Sequence, residues 1–314
     1  MKKITFISLS RSILDKNYNL EPVGGAENQI VKLASELSNR KNYEITFIIF
    51  GDDSITNKHS NIVFKMINKN SSKIYRHLKF IYTLLKTKPD VLITRAGSPW
   101  LFVIGLFSKI TKSKLFFFSA HDWELIYGKK FVGLKWKLFL LGLKYSDQIF
   151  VQNDFQLNNF EKYSLGSKEN IHLVKNLPLL KPNFNKNTNL KYFLWIGGYR
   201  KHKMPEVFIE AAKKLPFHKF LLVITFLRYP EKEQEMRDSI RGIPNLSIKS
   251  NLKRADIPRI YKNAKAVVIT SEGEGFPNVA IEAWSQSRAV ISSPNNSLIN
   301  INKDNGCVIY NNID

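Results

Sequence analysis

The sequence predicts an α/β protein built from two doubly wound parallel-sheet domains. Three observations carry this. Short apolar runs alternate with helix-period segments almost from end to end. Most of those runs are continuous rather than alternating, as expected for strands covered on both faces. The rhythm breaks once, at "NLPLLKPNFNKNTN", residues 176–189, which is rich in proline and asparagine and has no period. A chain of 314 residues fits two domains of about 100–200 residues each.

In the first half, strands are expected at residues 3–8, 45–50, 91–94, 115–119, 148–152 and 171–174. Between the first two, Ile30, Leu33, Ala34 and Leu37 line one stripe of a helix. Further helices fit 72–85, 100–110, 131–145 and 155–163. The second half repeats the pattern. Its strands fit 192–196, 219–225, 246–249, 266–270 and 289–292, and its helices fit 206–215, 231–241, 256–264 and 278–287. Two successive βαβαβ series imply two sheets of the doubly wound kind. The boundaries that follow are a first domain over residues 1–180, a linker over 181–190 and a second domain over 191–314. Ligands of such sheets sit outside the carboxyl ends of the strands, so a cleft faced by both domains is the expected active site.

Composition narrows the field. The apolar fraction of 44% and the 22 phenylalanines are ample for packed cores. Cys307 is the single cysteine, which excludes an intrachain disulfide and a cysteine-based metal cluster. A reducing cytoplasm suits that usage. No signal peptide is expected from "MKKITFISLSRS", whose apolar run is too short and lacks a small-residue cleavage site. The most apolar long stretch, residues 100–118, is broken by Lys109, Lys112 and Lys114, so no membrane-spanning helix is expected. The formal charge of +22 favours anionic partners: a nucleotide, an anionic lipid surface or nucleic acid. No nucleic-acid motif accompanies the charge, and no nucleic-acid partner is expected.

Four stretches at strand ends could carry chemistry. In "EPVGGAENQI", Gly24 and Gly25 allow close backbone approach, and the helix start that follows favours a phosphate. Glu27 sits in the first turn, so a plain capped turn explains the stretch equally. In "FFFSAHDWEL", His121 can donate a hydrogen bond to a sugar hydroxyl or a phosphate oxygen, while Asp122 can cap a helix. In "LWIGGYRKHKMPEVFIEA", Gly197 and Gly198 end a strand, and Arg200, Lys201 and Lys203 precede a helix near Pro205. Backbone N–H groups with one or two cations make a diphosphate clamp. In "SEGEGFPNVAIEAW", Glu274 and Glu282 are separated by seven residues. Pro277 fits the first helical turn, which puts Glu274 outside the helix and Glu282 inside it. The N–H groups at Gly275, Phe276, Asn278 and Val279 can bind oxygen atoms; Pro277 has none to offer. A carboxylate can accept two hydrogen bonds at once, which suits a vicinal diol. Glu282 lies in the otherwise apolar "VAIEAW", where an acid needs a partner or a ligand.

"EGFPNVAIEAWSQSRAVISS" resembles the signature of glycosyltransferase family 4, retaining enzymes with the two-domain GT-B fold. "VGGAENQIVKLASEL" is similar to that family's N-terminal glycine loop and first helix, "WIGGYRKHKMPEVFIEAAKKLP" to the opening of its second domain, and "AHDWE" to its loop histidine. The resemblance implies two Rossmann-like domains, the first on the acceptor side and the second binding a nucleotide sugar. It implies that Glu282 accepts hydrogen bonds from the ribose, that Glu274 holds a hydroxyl of the donor sugar beside the backbone of Gly275, Phe276, Pro277 and Asn278, and that Lys203 neutralises the diphosphate. Gly24 and Gly25 would approach the phosphate or the acceptor, and His121 would touch the donor sugar. Glu274, His121 and Lys203 are therefore the expected catalytic group. No metal and no cofactor are implied, the nucleotide-diphosphate sugar being a substrate.

The sequence departs from the family pattern twice. The family commonly has arginine where Gly198 stands, which leaves Arg200 or Lys201 to reach the phosphates. The chain also stops at Asp314, which implies a second domain shortened at its C-terminus. An inactive GT-B domain that only binds nucleotide, glycan or a partner is the alternative these departures motivate. Finally, residues 72–88 and 128–146 are basic, apolar and helix-like, as are helices that lie on anionic membranes. That fits a cytoplasmic enzyme held at the inner face of the cell membrane, acting on a glycan or lipid-linked acceptor.

Overall fold

The structure, a computed structural model, describes residues 1–8, 24–51, 61–68, 70–126, 128, 130–163, 168–184, 189–226, 231–250, 252, 254–294, 297–298, 301 and 303–310. Part of the first glycine stretch, residues 21–23, and part of the expected linker, residues 185–188, lie outside the described residues. The chain divides into two compact units, Met1–Leu177 and Pro178–Asp314.

The first unit runs β1 (Lys2–Ser8), α1 (Gly25–Ser38), β2 (Tyr43–Gly51), β3 (Ile62–Asn68), α2 (Lys73–Thr87), β4 (Val91–Arg95), α3 (Leu101–Thr111), β5 (Lys114–Phe118), α4 (Gly133–Lys144), β6 (Gln148–Val151), α5 (Asp154–Lys162) and β7 (Ile171–Leu173). Its seven strands lie in the order β3-β2-β1-β4-β5-β6-β7, all pairs parallel. The second unit runs β8 (Tyr192–Gly198), α6 (Pro205–Lys214), β9 (Phe220–Phe226), α7 (Glu231–Ser239), β10 (Leu246–Ser250), α8 (Ile257–Lys262), β11 (Ala264–Ile269), α9 (Asn278–Ser285), β12 (Ala289–Ser292) and β13 (Cys307–Ile309). Its six parallel strands lie in the order β10-β9-β8-β11-β12-β13. These are the two doubly wound sheets that the alternation of runs predicts.

Each sheet has a separate apolar cluster on either face, and strand geometry explains why. Successive side chains of a strand point to opposite faces. In β1, Ile7 packs into one cluster with Phe80, Leu115, Phe117 and Phe139. Its neighbour Phe6 packs into the other, with Ile30, Ala34, Phe47 and Phe64. In β8, Leu194 and Ile196 face Tyr261, Ala280 and Ala283, while Trp195 faces Phe208 and Leu222. Both faces are covered, so the central strands have no polar side and their sequences are unbroken apolar runs.

Two strands go beyond the sequence reading. β3 alternates buried and exposed residues, with Val63 44% exposed, because it is an edge strand with one open flank. β13 is three residues long and also lies at an edge. Before β8, residues 181–183 pack on the end of α9. The Gln286 side-chain amide donates to the Lys181 carbonyl at 2.9 Å, and the Asn183 N–H donates to the Ser285 carbonyl at 2.6 Å.

The helices α3 and α4 touch through glycines. A side chain at Gly142 would meet the Leu101 carbonyl carbon and the Phe102 nitrogen at 2.5 Å, and one at Gly105 would meet Tyr145 Cβ at 2.6 Å. Backbone cannot yield as a flexible side chain does. Gly142→Ala should therefore lower stability by about 1–3 kcal/mol, although alanine is the better helix former by about 1 kcal/mol. Urea unfolding followed by tryptophan fluorescence measures the difference.

Candidate functional site

In the second unit the strand order reverses between β8 and β11, so the loops after these two strands diverge and leave a crevice at the carboxyl edge. After β8 comes Arg200, exposed, then a single 3-10 turn at Lys201–Lys203. Met204, at φ +46°, reverses the chain so that Pro205 can open α6. This loop is laced to the one after β11. Thr270 accepts a hydrogen bond from Trp195 Nε1 at 2.9 Å and donates to the Lys203 carbonyl at 2.5 Å. The Glu272 N–H donates to the His202 carbonyl at 3.0 Å.

That lacing brings two candidate residues together. Lys203 Nζ forms an ion pair with the Glu274 carboxylate, and their side chains are 24% and 11% exposed. α9 then begins at Asn278, with Pro277 as the residue just before it, one position off the expected first turn. Glu282 lies inside the helix and is half-buried. The acid in an apolar helix has found a partner within the protein: the Tyr261 hydroxyl donates to Glu282 Oε2 at 2.7 Å. Burial first, and then the Glu282 charge, push the Tyr261 phenol well above its ordinary pKa, so it stays a neutral donor. Gly275, Phe276 and Asn278, which lead into α9, each have an interaction within the protein.

In the first unit the corresponding reversal lies between β1 and β4. A pocket of about 260 Å³ opens there, lined by Ile7 and Ser8 at the end of β1, Ala26, Glu27 and Ile30 of α1, and Arg95, Ala96, Gly97 and Ser98 at the end of β4. Gly24 is extended, with φ −143°, and immediately precedes Gly25, the first residue of α1. The Glu27 carboxylate folds back over Gly24 and occupies the space a side chain would need.

The loop after β5 is organised by a residue that the sequence analysis passed over. Glu124 is fully buried. It accepts from the Gly97 N–H at 2.7 Å, the Ala120 N–H at 3.1 Å, Ser119 Oγ at 3.1 Å and Lys130 Nζ at 3.0 Å. Burial alone would raise its pKa, but Lys130, His121 and the two N–H groups outweigh it and hold the carboxyl below its ordinary value. His121 is half-buried beside this network, and its carbonyl accepts the Glu124 N–H at 3.1 Å. Asp122 opens the 3-10 turn Asp122–Leu125, and its carboxylate accepts from Asn153 Nδ2 and Gln156 Nε2, both at 3.0 Å, at the start of α5. His121 belongs to the first unit; Lys203, Glu274 and Glu282 belong to the second.

The signals for the residues passed over are local. Glu124 is an acid inside "AHDWELI", Arg95 is a cation directly after the apolar run "VLIT", and Tyr261 is an aromatic on a short helix. Only the fold shows what each one meets. Because the folded pKa of Glu124 lies below the unfolded one, its charged form stabilises the first unit above about pH 4.5 and that stability fades as pH falls through the folded value. Glu124→Gln should cost about 1–3 kcal/mol at pH 7, and the gap to wild type should shrink below pH 4. Urea midpoints at pH 7 and at acid pH check the sign.

Comparison with known proteins adds the following. Residues 178–314 match the family described as glycosyl transferases group 1. No curated protein sequence matches the chain. Several solved structures do in fold. Sucrose-phosphate synthase from Thermosynechococcus elongatus is 14% identical, with a TM-score of 0.72, over 98% of this chain and 86% of that one. HepE from Anabaena, solved in complex with UDP, is 16% identical, with a TM-score of 0.71, over 99% and 85%. WaaG, a glycosyltransferase involved in lipopolysaccharide biosynthesis, is 13% identical, with a TM-score of 0.66, over 98% and 85%. At such identities the likeness is one of fold. The chain has the GT-B fold, and its second unit, residues 178–314, matches the glycosyl transferases group 1 family.

Proposed function

We propose that this protein is a retaining glycosyltransferase that moves a sugar from a nucleotide-diphosphate sugar to a glycan or lipid-linked acceptor in surface polysaccharide synthesis. One observation carries the reading most: the Lys203–Glu274 pair lies, with Glu282 on the helix that follows, at the strand reversal of the unit that matches the family. The fold alone would not suffice, since one fold hosts many chemistries.

In this reading Lys203, the N–H groups after β8 and the positive end of α6 take the diphosphate charge. Arg200 or Lys201 supplies the further cation that Gly198 cannot. Glu282, oriented by the Tyr261 hydroxyl, accepts from the ribose hydroxyls, and Glu274 holds a hydroxyl of the transferred sugar. Lys203 and Glu274 are each other's counter-ion in this structure, and the donor offers each a replacement: diphosphate for the lysine, hydroxyl for the carboxylate. His121 is assigned to the donor sugar, and Gly24 and Gly25 to the phosphate or the acceptor. The acceptor oxygen forms its bond to the anomeric carbon on the face from which the diphosphate leaves. The acceptor proton passes to a leaving-group oxygen, so configuration is retained without a side-chain nucleophile or a metal.

Thermal shift with UDP-, GDP- and ADP-sugars tests this. The true donor at about 100 times its Kd adds about 2.7 kcal/mol, or roughly 5 °C or more. Glu282→Ala should abolish the shift; a mutant that still responds fully would place the nucleotide elsewhere. A transfer assay then separates catalysis from binding, because binding without turnover supports the inactive-domain reading that Gly198 motivates.

We also propose that the first unit rests on anionic lipid at the cytoplasmic membrane face. No described helix is long and apolar enough to cross a membrane. α2 nevertheless leaves Ile74, Leu78, Ile81 and Leu85 exposed at helical spacing, while burying Phe80 and Leu84. Lys73, Arg76, Lys79 and Lys86 surround the stripe, and neither α2 nor α4 contains an acid. On α4, Leu134 and Leu141 are exposed beside Lys135 and Lys137. Leu78→Glu should weaken binding to anionic vesicles at least about fivefold and leave binding to neutral ones unchanged, as flotation would show.

A further inference from the structure

We propose that the pocket at the carboxyl edge of the first sheet is an oxyanion site, with Arg95 as its recognition residue. This goes beyond the glycine loop to a cation that gives the pocket a substrate class. It rests on the glycosyltransferase reading for the source of the anion, not for its existence.

Arg95 is the last residue of β4 and lines the pocket. A guanidinium carries five N–H donors. One Nη2 hydrogen reaches Asn176 Oδ1 at 2.7 Å. Nε is shielded from solvent and has no acceptor among the described residues. Both nearby acids are committed elsewhere. Glu124 spends its oxygens on Gly97, Ala120, Ser119 and Lys130, and the Glu27 carboxylate is folded over Gly24. They act on Arg95 through space and not through a hydrogen bond.

The titration follows the same logic. Burial pushes Arg95 down to about 10, against the pull of Glu124 and then Glu27 in the other direction. The group is still a cation at neutral pH, in a place where its neighbours do not offset its desolvation. An arginine that served only to hold Asn176 would need one donor, not five. The first turn of α1 opens on the same pocket through Ala26 and Glu27, which adds the partial positive charge of a helix start. A carboxylate or phosphate oxygen pair is the group that a guanidinium fork matches best.

Two sources share this chemistry. One is the acid group of an acceptor, a uronate carboxylate or a lipid-linked phosphate. The other is the donor's own diphosphate. The test uses the full chain. Inorganic phosphate and glucuronate are titrated into wild type, Arg95→Gln and Arg95→Lys by calorimetry, with circular dichroism to confirm folding and glucose as the neutral control. Wild type should bind the two anions at least about tenfold more tightly than Arg95→Gln, with Arg95→Lys between them and no binding of glucose. Anion binding that persists under a saturating concentration of the nucleoside diphosphate whose sugar gives the thermal shift assigns the site to the acceptor; binding that this nucleotide abolishes assigns it to the donor. Equal affinities in wild type and a folded Arg95 variant overturn the proposal, as does glucose binding as well as glucuronate. If no nucleotide sugar binds while Arg95-dependent anion binding persists, the donor reading fails and this site stands.

Discussion

Everything that matters in this molecule depends on one constraint of parallel sheets. Crossover connections are right-handed, so a chain that winds outward from a central strand in both directions must place its helices on opposite faces. The loops on either side of the reversal then part, and a crevice opens at the carboxyl edge. Both sheets reverse after their first three strands, between β1 and β4 and between β8 and β11. Both crevices hold the charged side chains discussed above. The Arg95 pocket and the Lys203–Glu274 pair occupy equivalent positions in two copies of one architecture.

What differs between the two crevices is how charge is settled. In the first unit the buried acids are saturated by the protein. Glu124 joins the ends of β4 and β5 to Lys130, and Asp122 grips the start of α5. Such carboxylates are scaffold, and Arg95 Nε is left without an acceptor among the described residues. In the second unit Glu282 accepts from a neutral donor, the Tyr261 hydroxyl, and Glu274 pairs with the cation Lys203. The relay from Trp195 through Thr270 to the Lys203 carbonyl fixes the backbone from which that lysine reaches Glu274.

The fold was largely legible because its period is strong. Central strands are covered on both faces and so read as unbroken apolar runs, and residues such as Phe6, Ile7, Leu194 and Trp195 needed only their neighbours to be placed in strands. The edges were less legible. β3 reads as a period-2 stretch, with Val63 and Lys65 turned outward, and β13 is only three residues long. The site was legible in part. Gly24, Gly25, Gly197, Gly198, Lys203, Glu274 and Glu282 stand out because glycines and acids are conspicuous beside apolar runs. Glu124, Arg95, Tyr261 and Thr270 do not, since each takes its meaning from residues far away in sequence.

By itself the sequence determined the class of fold, the positions of the central strands and the candidates at their carboxyl ends, because local periodicity and residue type depend on near neighbours alone. Only the tertiary structure decided the partners. It paired Lys203 with Glu274 across 71 positions and Tyr261 with Glu282 across 21. It enclosed Glu124 with donors from three segments and left Arg95 Nε without an acceptor among the described residues. Whether a charged side chain is scaffold or available for a ligand depends on how many of its hydrogen bonds the folded protein has already made, and that number does not exist until distant strands lie side by side.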